Sequence, residues 1–164
     1  MGQRLLPRTL PELFSYSLVV EREAARRFAT LGRFLRRLAA DALADELDRI
    51  GAEEHEQFQL IALGTSEHEL PELAGWELRW HFGQRCGEDA KPSSAREALA
   101  IALAYERCAQ AFYEDVADHA HDDAVRAFAA EMSLDEQRHI ERLERLLERE
   151  AGAAAAGETG AARF

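Results

Sequence analysis

The sequence has few of the residues that interrupt or cross-link a chain. Its 164 residues include only two cysteines, Cys86 and Cys108, and these form no Cys-x-x-Cys pair. Their spacing excludes a zinc knuckle and a rubredoxin-like iron site, and it gives no basis for a disulfide framework. Four prolines and ten glycines are also few for this length, so long uninterrupted elements are expected.

Long apolar runs and an excess of positive charge are absent as well. No run approaches the roughly 18 apolar residues of a membrane span, and residues 1–8 lack the hydrophobic stretch of a signal peptide. We therefore expect a cytoplasmic protein with no membrane partner. Twenty Lys and Arg against 31 Asp and Glu give a formal net charge of −11. Because this charge repels polyanions, we expect no nucleic-acid partner.

The dominant feature of the sequence is helical periodicity. Apolar residues recur at three- and four-residue spacing in four long segments, which predicts four helices and no strand. Capping boxes at Thr9-x-x-Glu12 and Ser94-x-x-Glu97 predict the starts of the first and third helices, since the hydroxyl and the glutamate satisfy free backbone N–H groups.

The other helix boundaries divide the chain into two hairpins. The second helix is predicted from about Asp41 to Leu63. The fourth is predicted to begin at Asp122 or Asp123 and to stop near Gly152, because acidic caps favour helix starts and glycine favours helix ends.

A long connection joins the two hairpins. It runs over residues 64–93, and a short helix is expected in it around Trp76 and Trp80. Two short connections flanking one long one predict an all-α, antiparallel four-helix bundle with a long crossover between helices 2 and 3. We expect residues 1–150 to form this bundle and residues 151–164 to form a flexible tail rich in alanine and glycine.

The first helix of each hairpin repeats one pattern. Glu21 is followed seven residues later by Phe28, and Glu106 is followed seven residues later by Tyr113. Each glutamate stands on the apolar stripe of its helix, so both are predicted to point into the core.

The second helix of each hairpin carries an acidic cluster. The clusters read Glu53-Glu54-His55-Glu56 and Glu136-Gln137-Arg138-His139. Glu53 lies seven residues before Leu60, while Glu136 and His139 lie four and seven residues after Met132. All four helices are therefore expected to direct at least one ionisable group inward.

Several buried carboxylates in one core need a counterbalance. Burying an unpaired carboxylate costs several kcal/mol, and like charges add repulsion. Protonation, buried basic partners or bound cations could offset this cost. The predicted inner stripes contain almost no basic residue at this level, so cations rank first and protonation second.

A Glu-x-x-His pair suits a metal because positions i and i+3 share a helix face. Glutamates on two helices, with such pairs on the other two, are typical of di-iron and di-manganese sites.

The segments that carry these acids resemble rubrerythrin, in the ferritin-like superfamily. They are Glu21-Arg-Glu-Ala-Ala-Arg-Arg-Phe28, Glu106-Arg-Cys-Ala-Gln-Ala-Phe-Tyr113 and Glu136-Gln-Arg-His139. The resemblance covers residues 9–150. It implies that Glu21 and Glu106 are ligands from the first and third helices, that Glu53 and Glu136 are bridging carboxylates, and that His139 is a terminal nitrogen ligand. These five residues would also carry the catalysis.

The sequence departs from this family in three respects. Where the family has a histidine three residues after Glu53, this chain has Glu56. We expect Glu56 to be the remaining ligand, with His55 as the alternative if the helix is locally overwound or bulged. The family's additional glutamate on the third helix is replaced by Ala109, which argues against a redox-linked ligand exchange, and the rubredoxin domain is missing.

The resemblance implies an oxidoreductase. Two iron ions, with manganese or zinc as alternatives, would serve to reduce peroxide or dioxygen with electrons from an external donor, in a protein expected to be a homodimer. One alternative is a ferroxidase or an iron-binding protein without substrate turnover. Another is a bundle that serves protein interaction, with a degenerate metal site.

Overall fold

The computed structural model of the chain describes residues 6–73 and 91–161. These residues form four helices and no strand, which confirms the prediction of an all-α four-helix bundle. The helices are α1 (Leu10–Arg37), α2 (Asp41–Gly64), α3 (Ala95–His119) and α4 (Asp123–Ala161).

Side chains cap three of the four helix starts. Thr9 and Ser94 each accept a hydrogen bond from the backbone N–H three residues later, at 3.3 and 3.1 Å. Asp122 accepts one from the backbone N–H two residues later at 2.8 Å, so Asp122 rather than Asp123 caps α4. Each such cap stabilises its helix by about 1 kcal/mol.

The helix directions follow from contacts between α2 and α4. Glu53 pairs with Arg142, whereas Gln57, one turn further along α2, contacts Met132, which precedes Arg142 on α4. The two helices are therefore antiparallel. Because short turns also make α1 antiparallel to α2 and α3 antiparallel to α4, α2 and α3 run in the same direction. The long crossover predicted between the second and third helices stays a prediction, because part of it lies outside the described residues.

The connection between the hairpins is described only in part. Residues 74–90 lie outside the described residues, and the short helix expected around Trp76 and Trp80 falls there. The hydroxyl of Ser15 donates a hydrogen bond to the carbonyl of Pro71 at 2.9 Å, so the first part of the connection packs against the start of α1.

Two features differ from the expectations drawn from sequence. The predicted end of the fourth helix near Gly152 is wrong, because α4 continues to Ala161. Five alanines surround Gly152, and their high helix propensity outweighs the cost of about 1 kcal/mol for one glycine. In addition, Cys108 on α3 is disulfide-bonded, which the cysteine spacing did not indicate.

The apolar faces of all four helices meet in one core. Fully buried side chains lie along the length of the bundle, among them Leu35, Ile50, Val116 and Leu143. Each contributes about 1.5–3 kcal/mol to stability by leaving water.

At Gly51 an added Cβ would lie 2.9 Å from the Cβ of Phe28, so the glycine permits the close approach of α1 and α2. Within the described ranges, no helix is long and apolar enough to cross a membrane.

Candidate metal centre

Four glutamates and one histidine, contributed by all four helices, are buried at one level of the bundle. The exposed fractions are 1% for Glu21, 1% for Glu54, 0% for Glu106, 3% for Glu136 and 9% for His139. So many ionisable groups in one core would be strongly destabilising without protons or counterions.

Helix periodicity explains why these side chains point inward. Glu21 lies on the face that buries Ser17 and Phe28, one turn before it and two turns after it. Glu136 and His139 follow the buried Met132 by four and seven residues. Positions separated by three, four or seven residues share one face of a helix, so the apolar packing that forms the core also brings the acids together.

The innermost part of the cluster has the geometry of a cation site. One potential ligand atom from each of Glu54, Glu106, Glu136 and His139 lies within 4.8 Å of all the others. Five buried atoms of these residues have no hydrogen-bond partner: Glu54 Oε1, both carboxylate oxygens of Glu106, Glu136 Oε2 and His139 Nδ1. His139 Nδ1 is 2.5 Å from Glu54 Oε1, but the two atoms are not aligned as a hydrogen bond. Buried polar atoms are nearly always satisfied, so this set fits a metal ion with oxygen and nitrogen ligands.

A second contact fixes the ring of His139. Its Nε2 lies 3.1 Å from Glu53 Oε2, and Arg142 donates to both oxygens of Glu53 at 2.7 Å. A histidine that donates through one nitrogen presents the lone pair of the other to a metal. Glu53 and Arg142 therefore hold His139 with Nδ1 facing the carboxylates.

Glu21 stands beside the innermost four residues. Its Oε1 accepts a hydrogen bond from the hydroxyl of Tyr113 at 2.8 Å. Burial raises the pKa of Tyr113 well above its usual value, so the phenol remains a neutral donor at physiological pH. The aromatic residue that the sequence repeat places after Glu106 thus orients the glutamate of the other hairpin.

Burial and like charge raise the pKa of three of the glutamates. Desolvation is the largest cause for Glu21, Glu106 and Glu136, and the charge of Glu54 or Glu106 adds to it. Burial lowers the pKa of His139, but its close contacts with the carboxylates of Glu106 and Glu54 outweigh this and raise that pKa to about 10. Without a cation the cluster therefore holds protons, which a metal would displace on binding.

Basic side chains do not neutralise the buried acids. In residues 6–73 and 91–161, no arginine or lysine ion pair reaches Glu21, Glu54, Glu106 or Glu136, and His139 is the cationic partner of Glu54 and Glu106. Among the described residues, the imidazole of His139 is therefore the basic partner that offsets the buried negative charge. Cations and protons remain.

The structure brings together four of the six predicted ligands. Glu21, Glu106, Glu136 and His139 lie in the cluster, whereas Glu53 and Glu56 are exposed at its rim. The expectation that Glu53 points into the core is wrong, and Glu54 takes that place. The spacing between Glu53 and Leu60 predicts a helix phase for α2 that differs by one residue, or about 100°, from the phase in the structure.

A signal for Glu54 was present in the sequence. Glu54 lies four residues after Ile50 and seven before Ile61, which are 0% and 6% exposed, whereas Leu60 is 58% exposed. His55, the alternative ligand, is exposed and contacts Gln59 rather than the cluster. The seven-residue spacing to Ile61, rather than the one to Leu60, identifies Glu54 as the inward glutamate.

A cavity of about 250 Å³ lies beside the cluster, between α2 and α4. Glu21, Glu54, Glu136 and His139 form its inner wall, and Gln57 is a further lining residue. Gln57 follows Glu54 by three residues, as His139 follows Glu136. The two hairpins therefore differ at this position, with an amide in one and an imidazole in the other.

Comparisons with known proteins extend the description of the fold. No family model matches the chain, and no curated protein does. Among solved structures, an uncharacterised conserved protein from Magnetospirillum magnetotacticum is similar, with a TM-score of 0.76 and 23% sequence identity over 86% of this chain and 95% of that chain. At this identity the likeness concerns the fold. The chain is an all-α four-helix bundle with a buried Glu/His cluster that could bind a metal ion.

Proposed function

We propose that the cluster binds two metal ions, iron in the first place, and that the protein is an oxidoreductase of rubrerythrin type. The ligands would be Glu21, Glu54, Glu106, Glu136 and His139. The observation that carries the proposal is the set of five buried ligand atoms without a hydrogen-bond partner. Four ionised carboxylates carry four negative charges, which two divalent cations would neutralise. The resemblance of the acidic segments to rubrerythrin supports the same assignment.

Bound iron would supply the electrons and the Lewis acidity for reducing peroxide or dioxygen, and an external donor would restore the electrons. The chain would supply the placement of the metal ligands. Tyr113 orients Glu21, and Glu53 orients His139. The cavity of about 250 Å³ can admit a molecule as small as peroxide.

Anaerobic reconstitution tests this proposal. The iron-loaded, reduced protein should bind about two ions per chain and consume peroxide, whereas the metal-free protein should not. Glu106→Gln should lose iron and peroxide turnover together. Glu56→Gln is a matched control, because it removes one negative charge from the rim without touching the innermost group. Equal peroxide consumption by metal-free and iron-loaded protein would refute the oxidoreductase.

A second candidate is a ferroxidase or an iron-binding protein without substrate turnover. The acidic rim of the cavity favours it, because Glu53, Glu56 and Asp135 lie where a cation would approach the cluster and negative charge attracts cations. Oxidation of added Fe²⁺ by dioxygen without turnover of peroxide would support this candidate over the first. Metal analysis of the purified protein would distinguish iron from manganese and zinc, which accept similar ligands.

The predictions of a homodimer and of a cytoplasmic location remain predictions. Sedimentation of the purified chain would measure the first, and fractionation of cells that produce it would measure the second.

A further inference from the structure

The two hairpins do not offer equal ligands to the two proposed metal positions. In α4, Glu136 is followed three residues later by His139, and both are buried. In α2, the buried Glu54 is followed three residues later by Gln57. Residues i and i+3 share a helix face, so Gln57 stands where the other hairpin has its imidazole, and it lines the cavity beside the cluster.

Gln57 is a poor substitute for histidine as a ligand. Its Nε2 donates to the sulfur of Met132 at 3.3 Å, so the amide nitrogen is already engaged with another residue that lines the cavity. Only its neutral carbonyl oxygen remains for a metal. Carbonyl oxygens suit magnesium, calcium and manganese, whereas imidazole suits iron and zinc.

The carboxylates are also unequally distributed between the two proposed metal positions. The group of mutually close ligand atoms contains Glu54, Glu106, Glu136 and His139 but not Glu21. Glu21 accepts a hydrogen bond from Tyr113 instead. The close group thus offers an imidazole and three carboxylates to one ion, whereas a second ion beside Glu21 would depend on Glu21, on shared carboxylates and on an amide.

We infer that the two metal positions are unequal: the ion beside His139 is held tightly, and the ion beside Glu21 and Gln57 binds weakly and exchanges through the cavity. This inference rests on the proposed function, because it takes a two-metal site as given. Loss of an outer-shell partner costs about 10–100-fold in metal affinity, and lack of a direct ligand should cost at least as much. The second dissociation constant should therefore exceed the first by at least about tenfold.

Titration of the metal-free protein with Co²⁺ tests the inference. Calorimetry gives the two affinities, and the visible absorption of Co²⁺ reports the ligand set of each ion. The wild type should show one tight and one weak ion, with the weak one removed by dialysis. Gln57→His should bring the second affinity to within about tenfold of the first and add a nitrogen signature at the second equivalent.

Two further variants make the outcome decisive. Gln57→Glu also supplies a charged ligand, so it should strengthen the second ion without the nitrogen signature, and it covers the case in which histidine does not fit the cavity. Glu148→His adds an exposed histidine to α4 away from the cavity and should leave both affinities unchanged.

Each result separates the inference from the proposed function. Two ions of equal affinity in the wild type would overturn the inequality and leave the two-metal site standing. An unchanged second affinity in both Gln57 variants would overturn the placement of the weak ion beside Gln57 without touching the two-metal site. If wild type and variants all bind no Co²⁺, the proposed two-metal site fails and the inference fails with it.

Discussion

Replacing Glu136 by glutamine should stabilise the metal-free protein while abolishing its metal site. Glu136 is 3% exposed, its Oε2 has no hydrogen-bond partner, and burial, together with the charges of Glu106 and Glu54, raises its pKa well above 4.5. The amide of glutamine has nearly the same shape and carries no charge. Glutamine therefore removes the free-energy cost of burying the carboxylate and keeps the packing.

The magnitude follows from the proton equilibrium. An acid whose ordinary pKa is 4.5 and that is kept protonated in the folded state costs about 3 kcal/mol of stability at pH 7, because each pH unit above that pKa costs about 1.4 kcal/mol. This value is the upper limit of the destabilisation, because the buried carboxylate takes up a proton rather than remain charged at a higher cost. Because this cost is an upper limit, we expect Glu136→Gln to gain about 2–3 kcal/mol at pH 7.

The sign of the pH dependence is also fixed. A group with a raised pKa in the folded state contributes stability that is complete below its unfolded pKa and is lost as the pH rises through its folded pKa. The free energy of unfolding of the metal-free wild type should thus fall as the pH rises above 4.5. The advantage of Glu136→Gln should be present at pH 7 and absent at pH 4.5.

Urea unfolding of chelator-treated protein measures these differences. A gain of 2–3 kcal/mol corresponds to a rise in melting temperature of about 4–12 °C for a chain of this size. Glu56→Gln, at the exposed rim, should change the stability by less than about 0.5 kcal/mol. A loss of stability in metal-free Glu136→Gln at pH 7 would show that the carboxylate is satisfied by the protein itself, and would refute the reasoning behind the metal site.

Three further predictions concern the ligands and the helix packing. Glu106→Ala and His139→Ala should each lower metal content from about two ions per chain in reconstituted protein, as measured by elemental analysis; unchanged content in both would contradict the assignment. Metal binding at pH 7 should release protons, because His139 has a pKa of about 10 in the metal-free state, and calorimetry in buffers of different ionisation enthalpy would count them. Gly51→Ala should destabilise the fold by about 1–3 kcal/mol in thermal unfolding, since the new Cβ would lie 2.9 Å from that of Phe28, whereas Gly32→Ala meets the movable end of an aspartate and should cost less.

Local sequence features were sufficient to predict most of the fold. Apolar spacing identified four helices, and the hydroxyl caps at Thr9 and Ser94 marked two of their starts. These signals are short-range, because a cap and its N–H partner lie within one turn. The end of α4 was not predicted correctly, because a single glycine and a run of alanines favour opposite outcomes and the alanines prevailed.

The candidate site was predictable wherever one helix face was unambiguous. On α1, α3 and α4 the apolar stripe has one phase, and Glu21, Glu106, Glu136 and His139 lie on it. The sequence could therefore specify that acids from different helices share the core. It could also indicate that the second hairpin supplies a Glu-x-x-His pair.

Only the tertiary structure decided which glutamate of α2 belongs to that core. Leu60 and Ile61 are both apolar, so local pattern alone allows either Glu53 or Glu54 to face inward. In the folded bundle Ile61 is buried and Leu60 is exposed, so Glu54 points into the cluster and Glu53 lies at the rim with Arg142 and His139. The sequence determined the four helices and the kind of chemistry that they carry. The choice between neighbouring residues depended on long-range packing, because a rotation of about 100° of one helix exchanges them at little local cost.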